Sequence, residues 1–235
     1  MKTKKQIKQE LAKEYYGKEA EKYEEKRLED PRHAHIVKKQ EEITSSFLKN
    51  ENYKNILDVA CGTGRFFKLY KGKIYGIDFS EDMLKQARKK KHFLLKKADA
   101  SKIPFKNNMF DITITSQFIK HTPEYEKVIK EMTRVTKKGG KIIIDFPNKF
   151  SITNPVTKLR IQTGKLRHYN FFSIKDINAI ARKNNLEIEA IEPTVVISPL
   201  FFPKSFLSFS IRLNNLLTKL FPRLTYVYYV KFRKK

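Results

Sequence analysis

At 235 residues the chain has room for one sizeable α/β core with elaborations, and little for two independent domains. Hydrophobic residues make up 40% of it, with 18 Phe and 11 Tyr, so the 32% charged content does not describe a disordered chain. The formal charge of +25 suits a polyanion or an anionic lipid surface, yet 39 of the 50 basic residues are Lys, whereas bidentate phosphate recognition favours Arg. A single cysteine, Cys61, excludes an internal disulfide, no zinc-ligand spacing is present, and a reducing cytoplasm is the expected compartment. The basic N-terminus, with Lys2, Lys4, Lys5 and Lys8, has no apolar run behind it and does not read as a secretory signal.

In chain order, residues 1–30 carry a thin apolar helical stripe, Ile7, Leu11, Tyr15 and Tyr23, which Pro31 ends. A second helix is expected over residues 34–48 and a loop over 50–55. The first 50 residues therefore read as a helical lid on a core spanning residues 51–235. Short apolar runs then alternate with helical stretches, the pattern of a parallel sheet with crossover helices. The expected strands are 56–60, 73–78, 93–97, 110–115 and 141–146, with helices near 65–70, 81–91 and 124–136. Gly139 and Gly140 are expected to close the last helix and start the next strand. A loop containing Asn154 and Pro155 follows, then a helix over 173–184 opened by a Ser173–Asp176 capping box, a strand over 186–196 and a last strand over 225–232.

The chemistry concentrates where the first strand meets a glycine turn, Asp58-Val59-Ala60-Cys61-Gly62-Thr63-Gly64. Glycines let a backbone approach a ligand closely, and a following helix offers free N–H donors. The second strand ends in Asp78, twenty residues after Asp58, where an acid accepts both hydroxyls of a ribose. A nicotinamide site would want a small residue where Phe67 stands. Asp58 would repel a pyrophosphate, but suits a ligand carrying an amino group and a sulfonium.

These segments resemble the class I, Rossmann-like S-adenosylmethionine-dependent methyltransferases, in the branch that includes quinone-biosynthesis enzymes, over roughly residues 55–148. Asp58 to Gly64 looks like the family's first motif, around the methionine part of the donor, with Ala60, Cys61, Gly62 and Gly64 as contacts. Asp78 looks like the ribose acid, followed by Phe79, and Met83 would flank the adenine. Asp99 and Ala100 look like the adenine-binding motif, and the stretch from Gln117 to His121 resembles the loop facing the methyl group. The resemblance implies a mostly parallel seven-stranded sheet with an antiparallel last strand, helices on both faces, and S-adenosylmethionine as cofactor. Direct in-line transfer needs no nucleophilic intermediate and no metal.

Cys61 reads as packing. His121 reads equally as a base or as a structural residue. An acceptor pocket is expected from the N-terminal helix, residues 117–123 and residues 147–172, with Tyr23, His121, His168 and Tyr169 as substrate candidates. Residues 198–223 form an insertion in which Phe206, Phe209, Leu213, Leu216, Leu217 and Leu220 share one helical face, opposite Lys204, Arg212, Asn215 and Lys219. That face suits peripheral membrane contact or a cover for a lipid-like acceptor, helped by Lys231, Arg233, Lys234 and Lys235, and equally a packed lid or a homodimer interface. The expected acceptor is a small or lipid-linked molecule. The rivals are RNA methylation, prompted by Lys85, Arg88, Lys89, Lys90, Lys91, Lys96 and Lys97, and a non-catalytic cofactor-binding partner protein.

Overall fold

A computed structural model describes residues 20, 22–90, 93–163 and 169–235. His168, Lys91 and most of the expected first helix lie outside them. The chain runs through α1 (Tyr23–Glu29), α2 (Pro31–Leu48), β1 (Asn55–Val59), β2 (Lys73–Asp78), α3 (Glu81–Arg88), β3 (Leu94–Lys97) and β4 (Phe110–Thr115). It continues through α4 (Tyr125–Val135), β5 (Thr136–Pro147), α5 (Asn154–Gln162), α6 (Ile174–Lys183), β6 (Leu186–Pro193), α7 (Leu207–Leu220) and β7 (Val227–Lys234). The strands form one sheet in the order β3-β2-β1-β4-β5-β7-β6; β1 to β5 pair in parallel, and β7 is antiparallel to β5 and to β6.

Both sheet faces are covered, as a parallel sheet requires. Strand alternation sends Leu57, Val59, Ile142, Ile144 and Phe146 to a core closed by α4 and α6. Ile56, Ile112, Ile114, Ile143 and Tyr229 face the other way, to a core closed by α2 and the turn after β1. The sequence order of the strands reverses between β1 and β4, and at such a switch point the loops beyond the strand ends part to leave a crevice.

Several elements differ from their sequence expectation for local reasons. α2 begins at Pro31 rather than Ala34, because Asp30 caps it and a proline at the first position loses no hydrogen bond. The helix expected over 65–70 is a five-residue 3-10 turn, Arg65–Leu69. Asn154 and Pro155 open helix α5 rather than lying in a loop. The Ser173–Asp176 capping box is present on α6. β5 starts directly after α4, so the two glycines lie inside it: its partner shifts from Phe110↔Thr136 to Ile112↔Lys141, and residues 137–140 bulge out. Gly139 adopts φ +76, and a Cβ on Gly140 would stand 2.7 Å from the Asp111 carbonyl and 2.9 Å from that of Lys137.

The basic run is partly neutralised in place. Lys85 pairs with Asp82 at 3.3 Å, Arg88 with Glu81 at 2.5 Å and Lys90 with Glu24 at 2.6 Å. Three of its cations are thus engaged within the protein.

The two bulge glycines are expected to respond differently to substitution. Gly140→Ala meets rigid backbone and should lower the free energy of unfolding by about 1–3 kcal/mol. Gly139→Asn has open space and a left-handed φ that Asn tolerates, and should cost under about 1 kcal/mol. Urea denaturation of the two variants measures the contrast.

Candidate active site

The backbone after β1 turns left-handed three times within five residues, with φ of 59° at Ala60, 55° at Gly62 and 70° at Gly64. A non-glycine residue there stores strain, as Ala60 does, and such positions cluster where a ligand must be met. A Cβ on Gly62 would touch nothing within 4 Å, so the turn faces open space there. Beneath it the Phe67 ring fills the volume, 2.6 Å from where a Cβ on Gly64 would be and 4.4 Å, centroid to centroid, from Phe93. The Cys61 thiol packs against Gly76, and burial with two neighbouring carboxylates pushes its pKa well up, away from nucleophile chemistry.

Adjacent strand ends are stitched to this turn. Gly62 N–H donates to Asp78 Oδ2 and Ser80 N–H to Asp78 Oδ1, each at 2.8 Å. Cys61 N–H reaches the Ile77 carbonyl and Ala98 N–H the Asp78 carbonyl, each at 3.0 Å. With the Phe79 N–H also donating, three backbone donors leave the Asp78 carboxylate one of its four acceptor sites. Met83 is fully buried at the start of α3, its N–H on Ser80 Oγ, and Phe79 is half-buried. Asp99 accepts from the Ser101 N–H and hydroxyl, each at 2.8 Å, with Ala100 buried beside it. Asp58 is buried under the turn and accepts from Tyr70 Oη at 2.8 Å.

Across the switch point, Gln117 also has a left-handed φ of 63°. Its N–H and Nε2 donate to the two oxygens of Asp145 at 2.7 and 2.8 Å, while its Oε1 accepts from Lys120 Nζ. Asp145 is 1% exposed and Lys120 is 8% exposed. Burial raises the Asp145 carboxyl above its usual range and lowers the Lys120 amine to about 8. His121 meets the Tyr169 ring edge-on at 5.6 Å, and Tyr169 Oη bonds Tyr226 Oη at 3.0 Å. Asn170 ties this segment back, donating to the Ile119 and Thr122 carbonyls. Gln117, His121 and Tyr169 therefore come together, joined by Lys120 and Asp145, which the sequence reading did not single out. Tyr23 stands apart. It lines a cleft of about 810 Å³ with Arg27, Gly64, Phe67, Lys90 and Phe93, a space that touches the turn only at Gly64 and excludes Asp78, Asp99 and Gln117. α1 closes on the turn through Glu24, which accepts from Thr63 Oγ1 and pairs with Lys90.

Buried Asp58 and Asp145 and the partly buried Asp78 thus stand at or near the ends of three of the parallel strands, beside the reversal point of the sheet. The strand order, with its reversal between β1 and β4 and its antiparallel β7, is that of a Rossmann-like fold. Residues 57–144 match the methyltransferase domain family. A demethylmenaquinone methyltransferase of Bacillus mycoides is 38% identical over 99 residues, covering 37% of this chain and 42% of that protein. One from Alkalihalophilus pseudofirmus is 33% identical over 112 residues, covering 43% and 48%, so the matches span under half of these relatives. A solved S-adenosylmethionine-dependent methyltransferase from Thermotoga maritima shares the fold, with a TM-score of 0.62 at 22% identity over 86% of this chain and 91% of that one.

Desolvation raises the Asp58 carboxyl to about 7, from 3.8. An acid whose folded pKa is raised keeps its proton in the native state after the unfolded chain has lost it. Stability from this group is therefore whole below about pH 4 and is lost as pH rises to about 7. Unfolding free energies measured across that window should decline more steeply in the wild type than in Asp58→Asn, in which this contribution is absent.

Proposed function

We propose that the protein is an S-adenosylmethionine-dependent methyltransferase acting on a small, largely apolar acceptor by direct in-line transfer. One observation carries the reading: an open, left-handed glycine turn hydrogen-bonded to the strand-end acid Asp78, at the reversal point of the sheet. The residues fit the cofactor. Gly62 leaves room for a ligand to lie on the backbone, Asp78 retains acceptor capacity for a ribose hydroxyl, and enclosed carboxylates disfavour a pyrophosphate.

In this reading residues 60–64 hold the methionine part, with Gln117 at its methyl end. Asp78 and Phe79 bind the ribose, and Met83, Asp99 and Ala100 enclose the adenine. When bound, the cofactor supplies an already activated methyl group, so the chain's task is orientation and exclusion of water. Asp145 clamps both amide groups of Gln117 and so sets the loop that faces the reacting atoms. His121 and Tyr169 form the aromatic wall of the acceptor side, and Lys120, poised near neutral pH, is placed to hold an anionic oxygen of the acceptor. The demethylmenaquinone methyltransferases among its relatives support a quinol-like ring as the acceptor class.

Calorimetric titration should give micromolar binding of S-adenosylmethionine and S-adenosylhomocysteine and none of NAD, with Asp78→Ala weakening both at least about tenfold. Absence of binding to protein of normal melting temperature would refute the reading. A second expectation separates the two sides of the crevice. Asp145→Asn should lower methyl transfer to a demethylated quinol by about tenfold or more while changing S-adenosylhomocysteine affinity by less than about threefold. Equal losses in both would place Asp145 on the donor side instead.

A further inference from the structure

Helix α7 packs on its polar side. Asn214 Oδ1 accepts from the Val196 and Ile197 N–H groups at 3.0 and 2.9 Å, and its Nδ2 donates to the Ile197 and Ser210 carbonyls at 2.8 and 2.9 Å. Ser210, one turn earlier, is fully buried beside it. The three bonds to Val196 and Ile197 fix the rotation of the helix, and the outward face is consequently apolar: Phe209, Leu216 and Leu220 are 55–60% exposed. Phe201, Phe206 and Phe221, from the turns that flank the helix, are exposed as well.

A second exposed apolar group lies on residues 150–159, comprising Phe150, Ile152, Val156 and Leu159. Both groups belong to one rim. Residues 148–163 leave the sheet at the end of β5, and residues 194–226 connect β6 to β7, whose Val227 stands opposite Pro147. Asn148 bridges the two segments, its Nδ2 donating to the Arg223 and Thr225 carbonyls at 2.8 Å each. The same end of the sheet carries Asp145 and the Tyr169–Tyr226 contact.

Charge selects the occupant. Neither segment contains a single Asp or Glu, whereas they hold Lys149, Lys158, Arg160, Lys204, Arg212, Lys219 and Arg223. On α7, Arg212 and Lys219 form a stripe directly beside Phe209, Leu216 and Leu220, one helical position round. Monomeric soluble proteins rarely expose apolar groups clustered in this way. A second copy of the chain would bring like charges together in a self-complementary contact with no carboxylate to answer them. A nucleic acid would take the cations and leave the apolar stripe in water. An anionic bilayer satisfies both, with aliphatic and aromatic side chains entering the acyl boundary and cations at the level of the phosphates.

We infer that the rim formed by residues 148–163 and 198–223 docks in the plane of an anionic lipid surface, with the crevice opening toward the bilayer. No helix among the described residues is long and apolar enough to cross a membrane, so the contact is peripheral. The docking does not depend on the donor reading, and an apolar acceptor would reach the crevice from the lipid phase.

The test is flotation of the full chain with vesicles of equal parts phosphatidylglycerol and phosphatidylcholine, against vesicles of phosphatidylcholine alone. Binding to the anionic vesicles should fall at least about tenfold in Phe209→Asp/Leu216→Asp and in Arg212→Glu/Lys219→Glu. The charge-matched pair Lys130→Glu/Lys138→Glu, away from the rim, should bind as the wild type does. Melting temperature reports folding of each variant. The inference is overturned if the folded wild type stays unbound, or if the rim variants float as well as the wild type. It is equally overturned if light scattering shows a dimer that Phe209→Asp/Leu216→Asp dissolves, or if the rim cations bind RNA while the apolar substitutions have no effect.

Discussion

One bond organises the active end of this protein: the Gly62 N–H donating to the Asp78 carboxylate. It joins the ends of two neighbouring parallel strands, and it can form only because the backbone from Ala60 to Gly64 runs through left-handed conformations. Phe67 then packs under the turn, against the space beside Gly64 and Gly76, so the loop is held from below while its upper surface at Gly62 stays open. Alternation within β1 places Asp58 in the same buried layer as Tyr70, and a carboxyl enclosed there has little water to stabilise its charge. The strained turn and the raised carboxyls follow from one geometry.

The opposite wall of the crevice obeys the same economy of buried charge. Asp145 and Lys120 would each be costly alone in the interior, and Gln117 lies between them, donating to the first and accepting from the second. Its backbone is left-handed, and in that conformation the N–H and the side-chain amide both face one carboxylate. The loop is thus clamped through both its backbone and its side chain.

Much of this was legible in the sequence, for identifiable reasons. The β1, β2, β4 and β5 strands and the terminal β-strand carry apolar runs, and Asp58 and Asp78 fall near strand ends, with Gly62 and Gly64 in the turn that follows the first. Asp145 and Lys120 were missed because their meaning lies in shared contacts with Gln117, 28 residues before Asp145, which are invisible to local spacing; an acid inside the otherwise apolar run Ile142 to Phe146 was the available signal. The bulge in β5 was misread because a glycine pair looks the same at a helix end and inside a distorted strand. For α7 the amphipathic period was legible, but the rotation of the helix was not, because it is set by Asn214, whose partners Val196 and Ile197 lie on the preceding segment. The lid was legible only as helix, and the cleft beside Tyr23 lies next to the donor turn rather than within it.

The central claim is that the glycine turn and Asp78 form a donor site, and the measurement that tests it most directly is a crystal structure of the protein grown with S-adenosylhomocysteine. The account predicts ribose hydroxyls on the Asp78 carboxylate, the homocysteine chain along residues 60–64 and the adenine near Asp99. Ligand bound instead in the cleft lined by Tyr23 and Phe93, or well-ordered protein with a saturating ligand concentration and nothing on the turn, would contradict it.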